Sequence, residues 1–154
     1  KHKGKHLILS SDGLTVSIPR HSGDQTVRGD QKLTKGKLYW DVHIDRSSNG
    51  RINVGVCVEG HSLTSYVGQS KFGWAYYGNN GKREHAGGSE KYGPTYGSGD
   101  TVRVMCDMDL RTLSFCKNGL YLGTAFHNIP ACVYPAITLY TTGDRVSLRR
   151  FGTF

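Results

Sequence analysis

The stretch Lys37-Leu38-Tyr39-Trp40-Asp41-Val42-His43-Ile44-Asp45 decides the fold. Leu38, Trp40, Val42 and Ile44 fall on one parity, and Tyr39, Asp41, His43 and Asp45 on the other. Successive side chains of a strand point to opposite faces, so the pattern predicts a strand with one face in a core. A helix would divide the same apolar set between two sides.

The same period of two recurs outward from this segment. Upstream, Leu7 and Leu9 alternate with Ile8 and Ser10, Ser11-Asp12-Gly13 turns, and Leu14, Val16 and Ile18 alternate again. That is a hairpin signature. Downstream, Arg46 to Gly50 is loop chemistry ending in Asn49-Gly50, and Ile52, Val54, Val56 and Val58 alternate after it. The segments on either side of this loop are expected to pair antiparallel. Val102, Val104 and Cys106 lead through a turn at Met108 to Arg111 into Leu113 and Phe115, and Lys117-Asn118-Gly119 turns tightly. Val133 to Tyr140 and Val146 to Phe151 are the last strong strands, and Pro135 inside one of them predicts an edge or a bulge. Gly73 to Gly99 is dense in glycine and reads as short strands and long loops. About a dozen short strands without a convincing helical period predict an all-β chain, an antiparallel two-sheet β-sandwich with no substantial helix.

The 154 residues suit one domain, expected to be monomeric by itself. Hydrophobic residues are 36% and charged residues 21%, which excludes a disordered chain. No apolar run approaches the roughly 18 residues of a membrane helix, so no membrane insertion is expected. The opening Lys-His-Lys-Gly-Lys-His carries no apolar signal region. Cys57, Cys106, Cys116 and Cys132 show no Cys-x-x-Cys spacing, and three of them lie in apolar runs. They read as free thiols in a cytoplasmic protein, with neither disulfides nor a metal site. The net charge of +8 is spread along the chain without a five-residue basic block, which favours solvated surface charge over a nucleic-acid footprint.

Catalytic constellations are missing from the pattern. The seven histidines form no zinc-binding spacing, and there is no Gly-x-Ser-x-Gly. Asp107 and Asp109 share a strand parity at a hairpin turn and read as turn-capping carboxylates, not a glycosidase pair. Gly78-Asn79-Asn80-Gly81-Lys82-Arg83 lacks the Ser/Thr and the helix that a phosphate loop needs, and reads as a polar turn. No catalytic residue and no cofactor is assigned.

Several blocks, in order, carry a family resemblance. They are Leu7 to Gly13, Gly36-Lys37-Leu38-Tyr39-Trp40-Asp41-Val42, Asn53-Val54-Gly55-Val56-Cys57, Gly73-Trp74-Ala75-Tyr76, Gly99-Asp100-Thr101-Val102 with Cys106-Asp107-Met108-Asp109, Thr112 to Gly119, Leu122 to Phe126, and Val133-Tyr134-Pro135-Ala136. The chain resembles a SPRY domain of the PRY-SPRY type, with a PRY-like part at about residues 7–35 and a SPRY core at 36–154. The resemblance implies a concanavalin-like sandwich and a non-enzymatic protein-protein interaction module. It implies that loops at one end of the sandwich recruit a target protein or short peptide. The PRY-like start resembles the substrate-recognition domain of tripartite-motif ubiquitin ligases, whose full-length chains can oligomerise.

Carried over by position, partner-binding candidates are Arg20 and His21 in the loop after the first hairpin, and Tyr66 in the Glu59–Ser70 loop. Tyr76, Tyr77 and Asn79 follow Trp74, Lys82, Arg83 and His85 come next, and Tyr140 and Thr141 open the last loop. The tyrosines suit rigid amphipathic anchors, and the basic residues suit an acidic partner. Two alternatives remain open. One is RNA binding by basic loops and exposed tyrosines. The other is a small-anion or glycan pocket built from Arg20, Lys82, Arg83 and His85.

Overall fold

In the computed structural model, which describes residues 2–154, pairing between alternating segments settles which apolar faces meet. The strands are β1 (His2–Lys3), β2 (Ile8–Leu9), β3 (Thr15–Ser17), β4 (Gln25–Arg28), β5 (Lys37–Arg46), β6 (Asn53–Cys57) and β7 (Gly73–Tyr77). They continue as β8 (Lys82–His85), β9 (Gly88–Lys91), β10 (Thr101–Asp107), β11 (Thr112–Lys117), β12 (Leu120–Phe126), β13 (Tyr134–Leu139) and β14 (Arg145–Thr153). One antiparallel sheet runs β1-β4-β13-β6-β7-β8-β9, and the other runs β12-β11-β10-β5-β14-β3-β2. No helix occurs among the described residues. The all-β sandwich expected from the alternation is the architecture observed.

The expected pairing of β5 with β6 is corrected. β5 pairs with β10 and β14, while β6 pairs with β13 and β7 in the opposite sheet. The 47–52 connection crosses from one sheet to the other, so the two apolar faces meet across the sandwich instead of lying side by side. Trp40, Val42 and Ile44 from β5 thereby share one buried core with Val54 and Val56 from β6. Trp40 is 1% exposed and fills the space between the sheets. Burying each such large side chain contributes about 1.5–3 kcal/mol.

Pro135 is also placed differently from the expectation. β13 is an interior strand, paired with both β4 and β6. The Pro135 carbonyl accepts from Gly29 N at 2.8 Å, one residue past the end of β4. The missing proline N–H therefore falls where the ladder with β4 stops, which makes an interior proline tolerable.

The turns follow their residue chemistry. Lys117 pairs with Leu120 across Asn118 and Gly119, which have φ of 49° and 86°. Both values suit a two-residue hairpin turn. Asp107 Oδ1 accepts from Asp109 N and Leu110 N, and Asp109 Oδ1 accepts from Gly36 N. The two carboxylates cap turns, as their spacing predicts. Cys57, Cys106 and Cys116 are buried free thiols, and burial pushes Cys57 and Cys106 up to about 12.

β6 is buried along its whole length, because the 58–72 segment covers the outer face of its sheet. Cys57, Val67, Ala75 and Ala136 make a second small core there. At Gly55 the neighbouring β7 backbone approaches so closely that an added Cβ would strike the Trp74 carbonyl oxygen and lie 2.8 Å from Ala75 Cα. Gly55→Ala is expected to destabilise the protein by roughly 3 kcal/mol or more, at the upper end of overpacking costs. Gly60→Ala, where an added Cβ meets open space, should change stability by less than about 0.5 kcal/mol. Urea denaturation of the two variants checks both values, and equal midpoints would contradict the close-approach assignment.

Candidate functional site

Loops before β4, before and after β6, and after β13 converge on the outer face of the β6–β7–β8 region. The pleat sets the floor: Asn53 pairs with Tyr77 in register, and both side chains leave the core. Asp24, Arg51, Asn53, Tyr66, Tyr77 and Glu84 line a cleft of about 180 Å³. Asn53 Nδ2 donates to Glu84 Oε1 at 2.6 Å and to the Val67 carbonyl at 3.2 Å. This ties the cleft floor to the covering segment.

A stacked ladder forms the rim. The Arg51 guanidinium carbon lies 3.3 Å from the centre of the Tyr140 ring. The His21 ring meets Tyr140 edge-on at 4.3 Å, with Nδ1 at 3.1 Å from the Tyr140 carbonyl. The His21 backbone N–H donates to Thr142 Oγ1. Asn49 Oδ1 accepts from Arg51 N and Thr141 Oγ1, and Asn79 Nδ2 donates to the Asn49 carbonyl. Asp144, fully buried, accepts from Ser47 Oγ and Ser48 N and pins the 47–52 loop to the last one.

The electrostatics are mixed. Burial raises the carboxyl of Asp24, against the pull of Arg51 and His21. Burial also raises Glu84, against its hydrogen bond from Asn53. Burial raises the Tyr66 and Tyr77 hydroxyls, so both stay protonated donors. The cleft therefore offers two carboxylates, two phenols and one guanidinium already occupied with an aromatic face. That set accepts hydrogen bonds from a partner's amide or cation better than it receives an acidic group.

Of the residues singled out in the sequence, Tyr66 and Tyr77 line the cleft, and His21, Tyr140, Thr141 and Asn79 build its rim. Arg20 is exposed beside His21, and half-buried Lys82 lies two residues from Glu84 on the same strand parity. Tyr76 belongs elsewhere. It is fully buried, its ring packs against Tyr92, Tyr96 and Phe115, and its hydroxyl donates to the Pro94 carbonyl. Adjacent tyrosines on a strand must face opposite ways, so Tyr77 reaches the surface because Tyr76 does not. Arg83 and His85 likewise lie on the face opposite Glu84. His85 stacks on Trp74 at 4.6 Å, and Arg83 Nη1 donates to the Ala125 carbonyl of β12 at 2.6 Å. Sequence reasoning missed Asp24, Arg51, Asn53 and Glu84. The one available signal was Asn53, a polar side chain opening an otherwise apolar strand.

The 58–72 segment that carries Tyr66 is tied to the sheet by Thr26, Asn53 and Thr138, and within it His61 is 6% exposed. His61 Nδ1 lies 2.6 Å from the Ser62 carbonyl, which can only accept, so Nδ1 carries the proton. Nε2 is buried without a hydrogen-bond partner. Burial lowers the imidazole below its ordinary value, outweighing the Ser62 and Tyr66 backbone contacts that favour the charged ring. Among the described residues no group of three or more His, Cys, Asp or Glu side chains is arranged to hold a metal ion. No helix there is long and apolar enough to cross a membrane.

The family model described as "SPRY domain" matches residues 37–151. The chain is 30% identical over 155 residues to the dual specificity protein kinase splA of Dictyostelium discoideum, covering 95% of this chain and 6% of that protein. It is 29% identical to the Ran-binding proteins 9/10 homolog of Drosophila melanogaster, covering 90% of this chain and 15% of that one. It is 27% identical to human Ran-binding protein 9, covering 95% and 21%. The chain thus spans a small fraction of the length of these curated relatives. A crystal structure of a human SPRY domain superposes with a TM-score of 0.84 at 25% identity over 97% of both chains. The SPRY domain of human HERC1 gives 0.82 at 23% identity, over 94% of this chain and 92% of that one.

His61 yields a pH prediction. Its folded value lies below its unfolded one, so its contribution is complete above the ordinary value of 6.5 and is lost as pH falls through the folded value. Backbone amides of the 58–72 segment should show high hydrogen-exchange protection at pH 7.5 and reduced protection at pH 5, after correction for intrinsic rates. His61→Gln should remove that pH dependence. Equal protection at both pH values in the native protein would show that charging His61 does not loosen the segment.

Proposed function

Because this chain belongs to the SPRY domain family, whose domains are protein-interaction modules, we propose that it is a non-enzymatic recognition module that takes a segment of another protein into the cleft between Arg51, Tyr66, Tyr77 and Glu84. The observation that carries this reading is the convergence of four loops around two tyrosines on a floor that one sheet and the 58–72 segment hold together. Tyrosine supplies contact area at small entropic cost, and preformed loops leave little ordering to oppose binding. The partner segment presents an amide or basic side chain to Asp24 and Glu84 and lays an apolar flank on Tyr66 and Tyr77. The basic residues on which an acidic partner was expected to dock do not line this cleft. A docked segment would bury on the order of 1,000 Å² in total.

The chain matches a small part of its relatives, so the module would act inside a longer protein. Substrate recruitment by a tripartite-motif ligase is one such setting, and the Ran-binding and kinase relatives suggest others. Four cysteines without disulfides agree with a cytoplasmic placement.

The test is affinity capture from lysate with and without nuclease, comparing the native domain with Arg51→Ala/Tyr77→Ala and with Arg149→Ala, an exposed position on the other sheet. The double variant should stay folded, with a melting point within a few degrees of native. It should lose a nuclease-resistant partner at least tenfold, while Arg149→Ala retains it. Intact capture by the folded double variant would remove the cleft from the mechanism. Recovery of nucleic acid alone, with steep salt dependence, would replace a protein partner with RNA.

A further inference from the structure

We propose that the crevice between the β8–β9 hairpin and β12 is a second binding site, which takes an extended peptide carrying a carboxylate. The site stands apart from the cleft. It uses the opposite face of β8, and its chemistry has the opposite sign.

The crevice, of about 460 Å³, is bounded by Arg83, His85, Ser89, Glu90, Phe126 and His127. That volume exceeds what a small anion fills. Arg83 is positioned at its wall. One guanidinium arm, Nη1, donates to the Ala125 carbonyl at 2.6 Å, and the other, Nη2, donates to the Glu90 carboxylate at 2.9 Å. The Glu90 side chain is 73% exposed, against 32% for Arg83. An exposed surface ion pair is weak, so a ligand carboxylate can exchange with this one at little cost. A guanidinium held by a backbone carbonyl is pre-organised for such an acceptor. Glu90 therefore stands in the position that a ligand's acidic group would take.

The rest of the wall suits a peptide. The His85 ring is held by Trp74 on one side and meets Phe126 edge-on at 6.2 Å, while its Nδ1 lies 2.8 Å from the Gly73 carbonyl. His127 is exposed at the mouth. β9 is the last strand of its sheet, and all four of its residues are exposed. Its outer N–H and C=O groups have no strand beside them among the described residues, which is the template for strand addition. An extended segment lying along Gly88–Lys91 places alternate side chains into the crevice.

The test uses a blocked hexapeptide of alternating Thr and Val with one central Glu, and the same peptide with Gln in that place, titrated into 15N-labelled domain. Saturable shifts are expected at Gly88–Lys91 and Ala125–His127, with the Gln peptide at least fivefold weaker. Glu90→Gln, which removes the resident carboxylate, should tighten the Glu peptide severalfold. Arg83→Gln, checked for an unchanged fold by its spectrum, should make the two peptides equal. Equal binding of the two peptides by the native domain would overturn the proposal. So would shifts confined to the Tyr66–Tyr77 cleft, no tightening by Glu90→Gln, or no saturable shift at millimolar peptide. Citrate alone reproducing the shifts with equal affinity would overturn the peptide assignment. None of these results depends on the cleft proposed as the principal site.

Discussion

The burial of Tyr76 is the interaction on which the rest of the structure depends. From β7 its ring reaches across the sandwich to Phe115 on β11, with centres 5.3 Å apart, and is flanked by Tyr92 and Tyr96. Tyr96 donates from its own hydroxyl to the Tyr76 carbonyl at 2.6 Å, so side chain and backbone are both fixed. Because β7 is pleated, this anchoring leaves the next residue one orientation, and Tyr77 faces the cleft. The core thus aims the surface.

The sequence carried the faces of the strands but not their partners. Alternation marks which side of a strand is apolar, and it marked Trp40, Val54 and Phe115 correctly. It is silent on whether two neighbouring strands lie in one sheet or face each other, since both arrangements bury the same residues. That is why the alternation of β5 and β6 fits a hairpin although the two strands lie in opposed sheets. The same limit affected the site. Tyr76 and Tyr77 have one composition and opposite fates, and parity separates them once Trp74 is placed in the core. Asp24, Arg51 and Glu84 come from three distant segments. No spacing in the chain records that they meet, because loop closure brings them together.

β8 is the strand on which chemistry of both signs is sorted. Glu84 looks outward to Asn53 and the tyrosines, while Arg83 and His85 look toward β12. A single residue of slip in the β7–β8 register would exchange these two faces, delivering a guanidinium to the cleft and a carboxylate to the crevice. The register is secured by Trp74 stacking on His85 and by the short turn through Gly78 to Gly81. Packing here protects the pattern of charge as much as it protects stability.

The crossing of the chain between sheets sets the order in which the protein can be made. β5 has β10 on one side and β14 on the other, and Ile44 meets Val146 in that last pairing. β3 is likewise joined to the body of its sheet through β14. On a ribosome, β5 would therefore emerge unpaired until β10 follows, and its other edge stays open until β14 is made. The consecutive runs β6 to β9 and β10 to β12 can pair as they emerge, but the edge of β5 that β14 covers, and β3 beyond it, wait for the last pairing. A chain lacking β14 would keep one long edge of β5 open and leave β2 and β3 without their link to the sheet, a sticky fragment instead of a smaller domain.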